Sequence, residues 1–445
     1  MSGYIGSDRP ATVDLDTCTR CGLCEQACPT FRVLGVEADS PRGRIFMMKD
    51  VEQERAPVDA FLAEHLYTCL GCRACETACP SGVPFGRLLE YGRAQVEMHG
   101  DLSPRRRGWR IFRGLVTERI LPNRALTGLL LWPARLMQRF PGLRAVAEAL
   151  PLPARMRTLL AMIPEAPPPS PPLPESIPAD GVRRARVGLF LGCVMNGLFK
   201  HVHAATVRVL RRQGFEVEVP PTQWCCGALN VHAGERAHAR AMARAVIDAF
   251  ATANLDFVAV NSAGCGAVLK EYGELLRTDV EYAERAAAFA ASVRDVNELL
   301  LPFSADDVEH APARETRVVT YMDACHLAHA QGVREAPRAI LRSLPGVALS
   351  EMADPDRCCG AAGLNAITHP VMAATLLDEK LANAAATGAG TIAVCNPGCH
   401  MHVHAGIARC GLDLQVRHVV ELLDEAYATS ASSPITSLSG PDIGT

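Results

Sequence analysis

Cys18-Thr-Arg-Cys21-Gly-Leu-Cys24-Glu-Gln-Ala-Cys28-Pro29 and Cys69-Leu-Gly-Cys72-Arg-Ala-Cys75-Glu-Thr-Ala-Cys79-Pro80 are two copies of one string. Each places three cysteines at three-residue intervals and a fourth directly before proline. A cubane [4Fe–4S] cluster takes four thiolates at the corners of a tetrahedron. Three closely spaced cysteines wrap one side of it, with backbone amides turned towards its sulfurs. In the bacterial form of this motif the fourth cysteine ligates the neighbouring cluster. The expected sets are therefore Cys18, Cys21, Cys24 and Cys79 for cluster 1, and Cys28, Cys69, Cys72 and Cys75 for cluster 2. Iron is the expected metal for these soft ligands. Zinc is the alternative, since paired C-x-x-C strings also bind it, but zinc motifs seldom carry this even triplet.

A chain of 445 residues is too long for one ordinary domain and implies two or three. With 49% hydrophobic and 21% charged residues it reads as folded. Its net charge of −3 is close to neutral, so nothing global argues for nucleic acid, and none is expected as a partner. Eighteen cysteines without a secretory pattern at Met1–Thr17 point to metal-bound or free thiols in a reduced, cytoplasmic compartment. The most apolar short run, Leu126 to Trp132, falls far below the ~20 residues a membrane helix requires.

Composition divides the chain. Residues 1–100 hold the two strings and read as a helical, two-cluster ferredoxin-like domain. Residues 101–163 form an arginine-rich helical connector, with twelve arginines against two glutamates between Pro104 and Leu160. Residues 164–180 are a proline-rich linker, extended and semi-rigid. Beyond it, apolar runs (Val187–Leu191, Phe257–Val260, Val318–Tyr321, Ile392–Val394) alternate with alanine-rich helical stretches such as Ala237–Ala251 and Met372–Ala386. Alternation of that kind predicts α/β layering on parallel sheets.

This part repeats itself. Cys193 and Cys325, Cys226 and Cys359, and Cys265 and Cys399 lie 132, 133 and 134 residues apart. Each copy ends on a similar phrase, Val293-Arg-Asp-Val-Asn-Glu-Leu-Leu300 and Val416-Arg-His-Val-Val-Glu-Leu-Leu423. Two tandem α/β cysteine-rich modules are expected, at 181–312 and 313–430, followed by a flexible tail at 431–445. The fold class is thus α+β and α/β, multidomain. Each module has an early cysteine (Cys193, Cys325), a Cys-Cys-Gly (Cys225, Cys226; Cys358, Cys359) and a late cysteine (Cys265, Cys399). Adjacent cysteines suit a loop that presents two thiolates to one centre, with glycine supplying the turn. These eight are candidate ligands for further clusters or redox sites; buried structural thiols are the alternative.

Other residues read more plainly. Cys410 has no counterpart in the first module and is expected in the core. His400, His402 and His404 alternate along a helix and so do not form one three-histidine site; His326 follows Cys325. Ser40-Pro-Arg-Gly-Arg-Ile45 turns the chain into a helix, its arginines expected in solvent, with a cluster or partner contact as the alternative. The connector interleaves Trp109, Phe112, Leu115, Ile120 and Leu121 with its arginines. Such a segment packs its apolar side on the protein, or lies on an anionic bilayer.

The modules resemble the cysteine-rich (CCG) domain of heterodisulfide reductase subunits. In that family a fifth cysteine, three residues before the last, completes an unusual non-cubane cluster. Ser262 and Asn396 stand there in this chain, and Cys395 is one residue out of register. The whole pattern resembles the iron–sulfur subunit of bacterial glycolate oxidase, properly a dehydrogenase. The resemblance is carried by Pro41–Ile45, Cys69–Val83 and Ser262-Ala-Gly-Cys-Gly-Ala-Val-Leu-Lys-Glu-Tyr-Gly273. It implies a complex with two FAD-type flavoprotein subunits, one oxidising glycolate to glyoxylate. This chain would pass the electrons to a quinone-type or other membrane acceptor, from the cytoplasm or the inner face of the membrane. The chain itself has no Gly-x-Gly-x-x-Gly string, so FAD is expected on the partners alone and no catalytic residue is expected here. Alternatives are the cluster subunit of an anaerobic glycerol-3-phosphate or lactate dehydrogenase complex, a disulfide reductase, or a zinc-stabilised scaffold.

Overall fold

The computed structural model describes residues 3–100, 102, 108, 111–165, 171–251, 254–300, 316–363 and 365–431. The expected tail beyond 431, the junction at 312/313, Trp109 and part of the proline-rich stretch lie outside them.

The N-terminal region is helical. Its main helices span Pro41–Glu52, Ala60–Thr68 and Phe85–Met98. Ser40 caps the first by accepting from Gly43 N at 2.8 Å, and Asp59 caps the second from Leu62 N at 2.9 Å. Leu15, Met48, Leu66, Leu88, Leu89 and Val96 form their common core. Both cysteine strings lie in loops and short turns laid over this core, with Cys18, Cys24, Cys69 and Cys79 packed against it.

Two sheets follow. The first contains β1 (Ser176–Ile177), β2 (Ala185–Phe190), β3 (Phe215–Glu218), β4 (Phe257–Val260) and β5 (Val293–Asp295) in the order β1-β3-β2-β4-β5. All neighbours are parallel except β1, an antiparallel edge built from residues within the proline-rich stretch. The second sheet is wholly parallel, with β6 (Arg317–Tyr321), β7 (Val347–Leu349), β8 (Thr391–Val394) and β9 (Gln415–His418) in the order β7-β6-β8-β9. Val187 pairs with Val217 and Phe257, and its counterpart Val319 pairs with Leu349 and Thr391. The sequence repeat is therefore a repeat of sheet order.

The modules are fused rather than strung apart. One buried cluster runs from Val187, Leu210 and Val217 through Val296 to Tyr321, Ile340 and Leu423. Helix Lys200–Arg212 of the first packs on Val419–Ala431 of the second, and Val296–Leu299 packs on Glu335–Ser343 in return. Burial on this scale stabilises by about 25 cal/mol per Å² of apolar surface removed from water.

Three expectations are corrected. Arg44 is not in solvent: it is fully buried and pairs with Asp39. Cys410 is exposed at the end of helix Pro397–Cys410, beside Asp378. The connector does not simply turn its apolar side inward. Leu131 and Ala134 of helix Arg124–Arg139 pack on the first module, yet Leu129, Leu130 and Trp132 of the same helix are exposed at 70%, 52% and 58%. Conversely Arg113 is buried between Glu97 (2.6 Å) and Glu235 (2.9 Å).

Candidate iron–sulfur sites

Backbone conformation shapes the two strings alike. The residues either side of the second cysteine are left-handed in both: Arg20 (φ 62°) and Gly22 (φ 82°), Gly71 (φ 62°) and Arg73 (φ 63°). Arginine in that region costs on the order of 1–2 kcal/mol, which something must offset. Alternation of right- and left-handed residues turns successive N–H groups inward and makes an anion-binding nest, as at many iron–sulfur sites. An N–H group does point at a sulfur here: Gly71 N lies 3.4 Å from Cys69 Sγ.

Cys18, Cys21, Cys24 and Cys79 line one hollow, with Cys75 on its wall. Cys28, Cys69, Cys72 and Cys75 line a second, smaller one. The fourth cysteine of each string is thereby brought to the three of the other. Among the described residues no three Cys, His, Asp or Glu side chains converge as ligands of a single metal ion. Four sulfur donors at each hollow, with an amide turned to Cys69, fit a cubane cluster by their chemistry.

Burial pushes the Cys24 thiol up to about 11, and it raises Cys75 strongly, with Cys72, Cys69 and Cys28 adding to the effect. Buried thiols of this kind ionise when a cation arrives, so metal loading would release protons. Below the second cavity, Arg44 donates to Asp39 O (2.6 Å), Thr30 Oγ1 (3.1 Å) and His65 O (2.7 Å), tying the segment after Cys28 to the helix before Cys69. Arg93 donates to Cys69 O (2.6 Å) and to His232 O of the first module (2.6 Å). Tyr67 donates to Ala233 O at 2.8 Å, beside Arg93 and Arg113. The sequence reading missed these buried cations, because an arginine in a polar string carries no mark of burial.

In the modules each cysteine follows a parallel strand. Cys193 follows β2, Cys225 and Cys226 follow β3, and Cys265 opens the helix after β4; Cys325, Cys358, Cys359 and Cys399 stand likewise after β6, β7 and β8. Carboxyl ends of such strands are where ligands collect. Gly227 (φ 76°) and Gly360 (φ 88°) turn the chain after each cysteine pair, and a Cβ on Gly360 would meet Ala373 O at 2.9 Å. Cys193 packs with Cys225 in one buried cluster, and Cys265 packs against the cluster that holds Cys226. In the second module Cys325 packs against the cluster that holds Cys358, and Cys359 packs with Cys399. Each set thus lies as two cysteine pairs, joined through the adjacent cysteines of Cys-Cys-Gly.

At the fifth-cysteine position Asn396 donates to Cys399 Sγ at 3.5 Å, and its Oδ1 accepts from Gly264 N at 3.0 Å. It orients a thiol and joins the modules. Cys395 is wholly buried among Asn297 and Tyr321, away from the set. His400 and His402 are buried, with His400 edge-on to Phe199, while His404 neighbours Arg144. The three histidines do not meet at one site.

Comparison with known proteins matches the same regions. Residues 14–83 match the 4Fe-4S dicluster domain, and residues 187–270 and 319–404 match the cysteine-rich domain CCG. The chain is 37% identical over 427 residues to the probable glycolate oxidase iron-sulfur subunit of Bacillus subtilis (strain 168), covering 94% of this chain and 95% of that one. It is 35% identical over 418 residues to the glycolate oxidase iron-sulfur subunit of Escherichia coli (strain K12), covering 93% and 94%. Lactate utilization protein A of Shouchella clausii is 31% identical over 238 residues, 54% of this chain and 98% of that protein. Matched over nearly its whole length, and carrying both kinds of domain, the chain is an iron–sulfur electron-transfer protein that belongs to the family of glycolate oxidase iron–sulfur subunits.

Proposed function

We propose that this chain carries electrons away from a flavoprotein partner that oxidises glycolate to glyoxylate on FAD, and delivers them towards a quinone-type membrane acceptor. The observation that carries the reading is the crossed gathering of Cys18, Cys21, Cys24 and Cys79 at one cavity and Cys28, Cys69, Cys72 and Cys75 at the next. Two [4Fe–4S] clusters held there would supply one-electron carriers, while the two-electron step belongs to the flavin. The protein's own part is to hold eight thiolates, aim amides at them, and keep the sites close. The names of the two full-length relatives support glycolate as the substrate of the complex.

The connector supports a peripheral membrane contact. Leu129, Trp132, Phe140 and Val146 are exposed, as are Arg124 and Arg139. No helix among the described residues is long and apolar enough to cross a membrane. Apolar side chains flanked by arginines suit an anionic interface instead.

The test uses the tagged chain, purified anaerobically with whatever accompanies it. Glycolate, lactate and glycerol 3-phosphate are added to separate samples while the visible absorbance of the clusters is followed. Rapid bleaching by glycolate alone is expected. Bleaching by lactate or glycerol 3-phosphate instead, or by none despite bound flavin, would overturn the glycolate assignment.

A further inference from the structure

The two modules repeat in sequence but not in surroundings. Cys72, from the second cysteine string, packs with Cys358 in one buried cluster. That contact is seated in an apolar cluster with Leu70, Ala74, Met372 and Leu376, against which Ala27 and Cys325 pack. The equivalent cysteine of the first module, Cys225, lies with Cys193 among Leu121, Val116, Trp224 and Met242, from the connector and the module itself.

A second difference is polar. Gly227 approaches Ala239 and Met242, and Gly360 approaches Ala373 and Leu376, so helices Arg236–Ala251 and Pro370–Ala385 correspond residue for residue. On that match Lys380 replaces Val246; counted from the late cysteines, His402 replaces Val268. All four side chains are buried. Lys380 lines one hollow with Cys358 and donates to Asp354 O and to Pro355 O at 3.2 Å, while His402 Nε2 lies 3.4 Å from Ala373 O on the helix that Gly360 approaches. A cation beside an iron–sulfur site favours its reduced state, because it offsets the added negative charge.

We propose that Cys325, Cys358, Cys359 and Cys399 hold the redox centre that exchanges electrons with the cluster at Cys28, Cys69, Cys72 and Cys75, and that the first module's set stands outside this path. The inference rests on the iron–sulfur reading above and not on the substrate. One electron passes from iron at the Cys72 set to iron at the Cys358 set; no bond breaks and no proton moves. The electron comes ultimately from the flavoprotein partner.

The test uses the full chain, iron-loaded anaerobically and reduced with dithionite, so that the substrate plays no part. Electron paramagnetic resonance and iron content are both read. Cys358→Ala and Cys399→Ala should each lose iron and sharpen the signal of the Cys72-set cluster, by removing its magnetic neighbour. Cys225→Ala should lose iron and leave that signal alone. Lys380→Met should keep the iron and lower the midpoint potential of the second module's centre. A change confined to Cys358→Ala would be mere disturbance of a contact and would overturn the proposal. So would an equal change in Cys225→Ala, or unchanged iron in Cys358→Ala. An unmoved potential in Lys380→Met would remove the role given to that residue. Failure of glycolate to bleach the complex leaves all these readings standing.

Discussion

Arg44 and Asp39 form a buried ion pair at 3.2 Å directly beneath the cysteine strings, with the guanidinium entirely out of solvent. His65 Nδ1 adds a third group at 2.9 Å from Asp39. Removing one member of such a pair leaves the other charge buried and uncompensated, at a cost of about 3–5 kcal/mol. Arg44→Met is therefore expected to lower thermal stability strongly. Arg42→Ala, which removes half-exposed pairs with Glu37 and Glu25, should cost only about 0.2–1 kcal/mol for each. Anaerobic thermal unfolding of the two variants checks this; equal losses would show that burial of Arg44 is not what stabilises the strings.

Cys72→Ser should remove one of two cluster signals and most electron transfer to the natural acceptor. The sulfur it deletes lines the smaller cavity, with Cys28, Cys69 and Cys75. Wild-type transfer in that variant would refute the role assigned to the set.

Acid should destabilise the modules through neutral buried histidines. Burial holds His418 down to about 4 and His203 to about 3, from an ordinary 6.5. Their unfolded forms bind protons first, so the stabilisation is complete above pH 6.5 and is lost as pH falls towards 4. Each contributes on the order of 1.4 kcal/mol per pH unit across that window. Denaturant midpoints measured between pH 7.5 and 4.5 should fall, and His418→Gln should flatten the slope. An unchanged slope would mean that His418 is protonated in the folded chain.

The connector should bind anionic vesicles at low ionic strength. At 0.1 M salt the screening length is about 10 Å, so release by high salt is expected. Trp132→Ala should weaken binding further, since that side chain is 58% exposed. Retention in high salt would eliminate the electrostatic part of the contact.

Spacing alone made much of this legible. A cysteine every third residue, with proline after the fourth, constrains backbone and ligands within a dozen positions, so the cluster strings could be read without coordinates. Tandem modules were equally visible, because strand and helix periodicity is local and the cysteine landmarks recur at 132 to 134 residues. Which residues leave solvent was not visible. Arg44, Arg93 and Arg113 look like surface arginines in the chain, and their burial depends on carboxylates and carbonyls brought in from other elements. Cys410 looked like a core residue, yet it lies at a helix end in solvent.

By itself, then, the sequence determined the ligand types, their grouping into strings and the repeat of the α/β module, since all three are written in local order. Only the tertiary structure decided that Cys72 meets Cys358 rather than Cys225, and that the connector leaves Leu129 and Trp132 outside. Those outcomes follow from how whole modules dock, and docking depends on shapes and charges assembled from residues hundreds of positions apart.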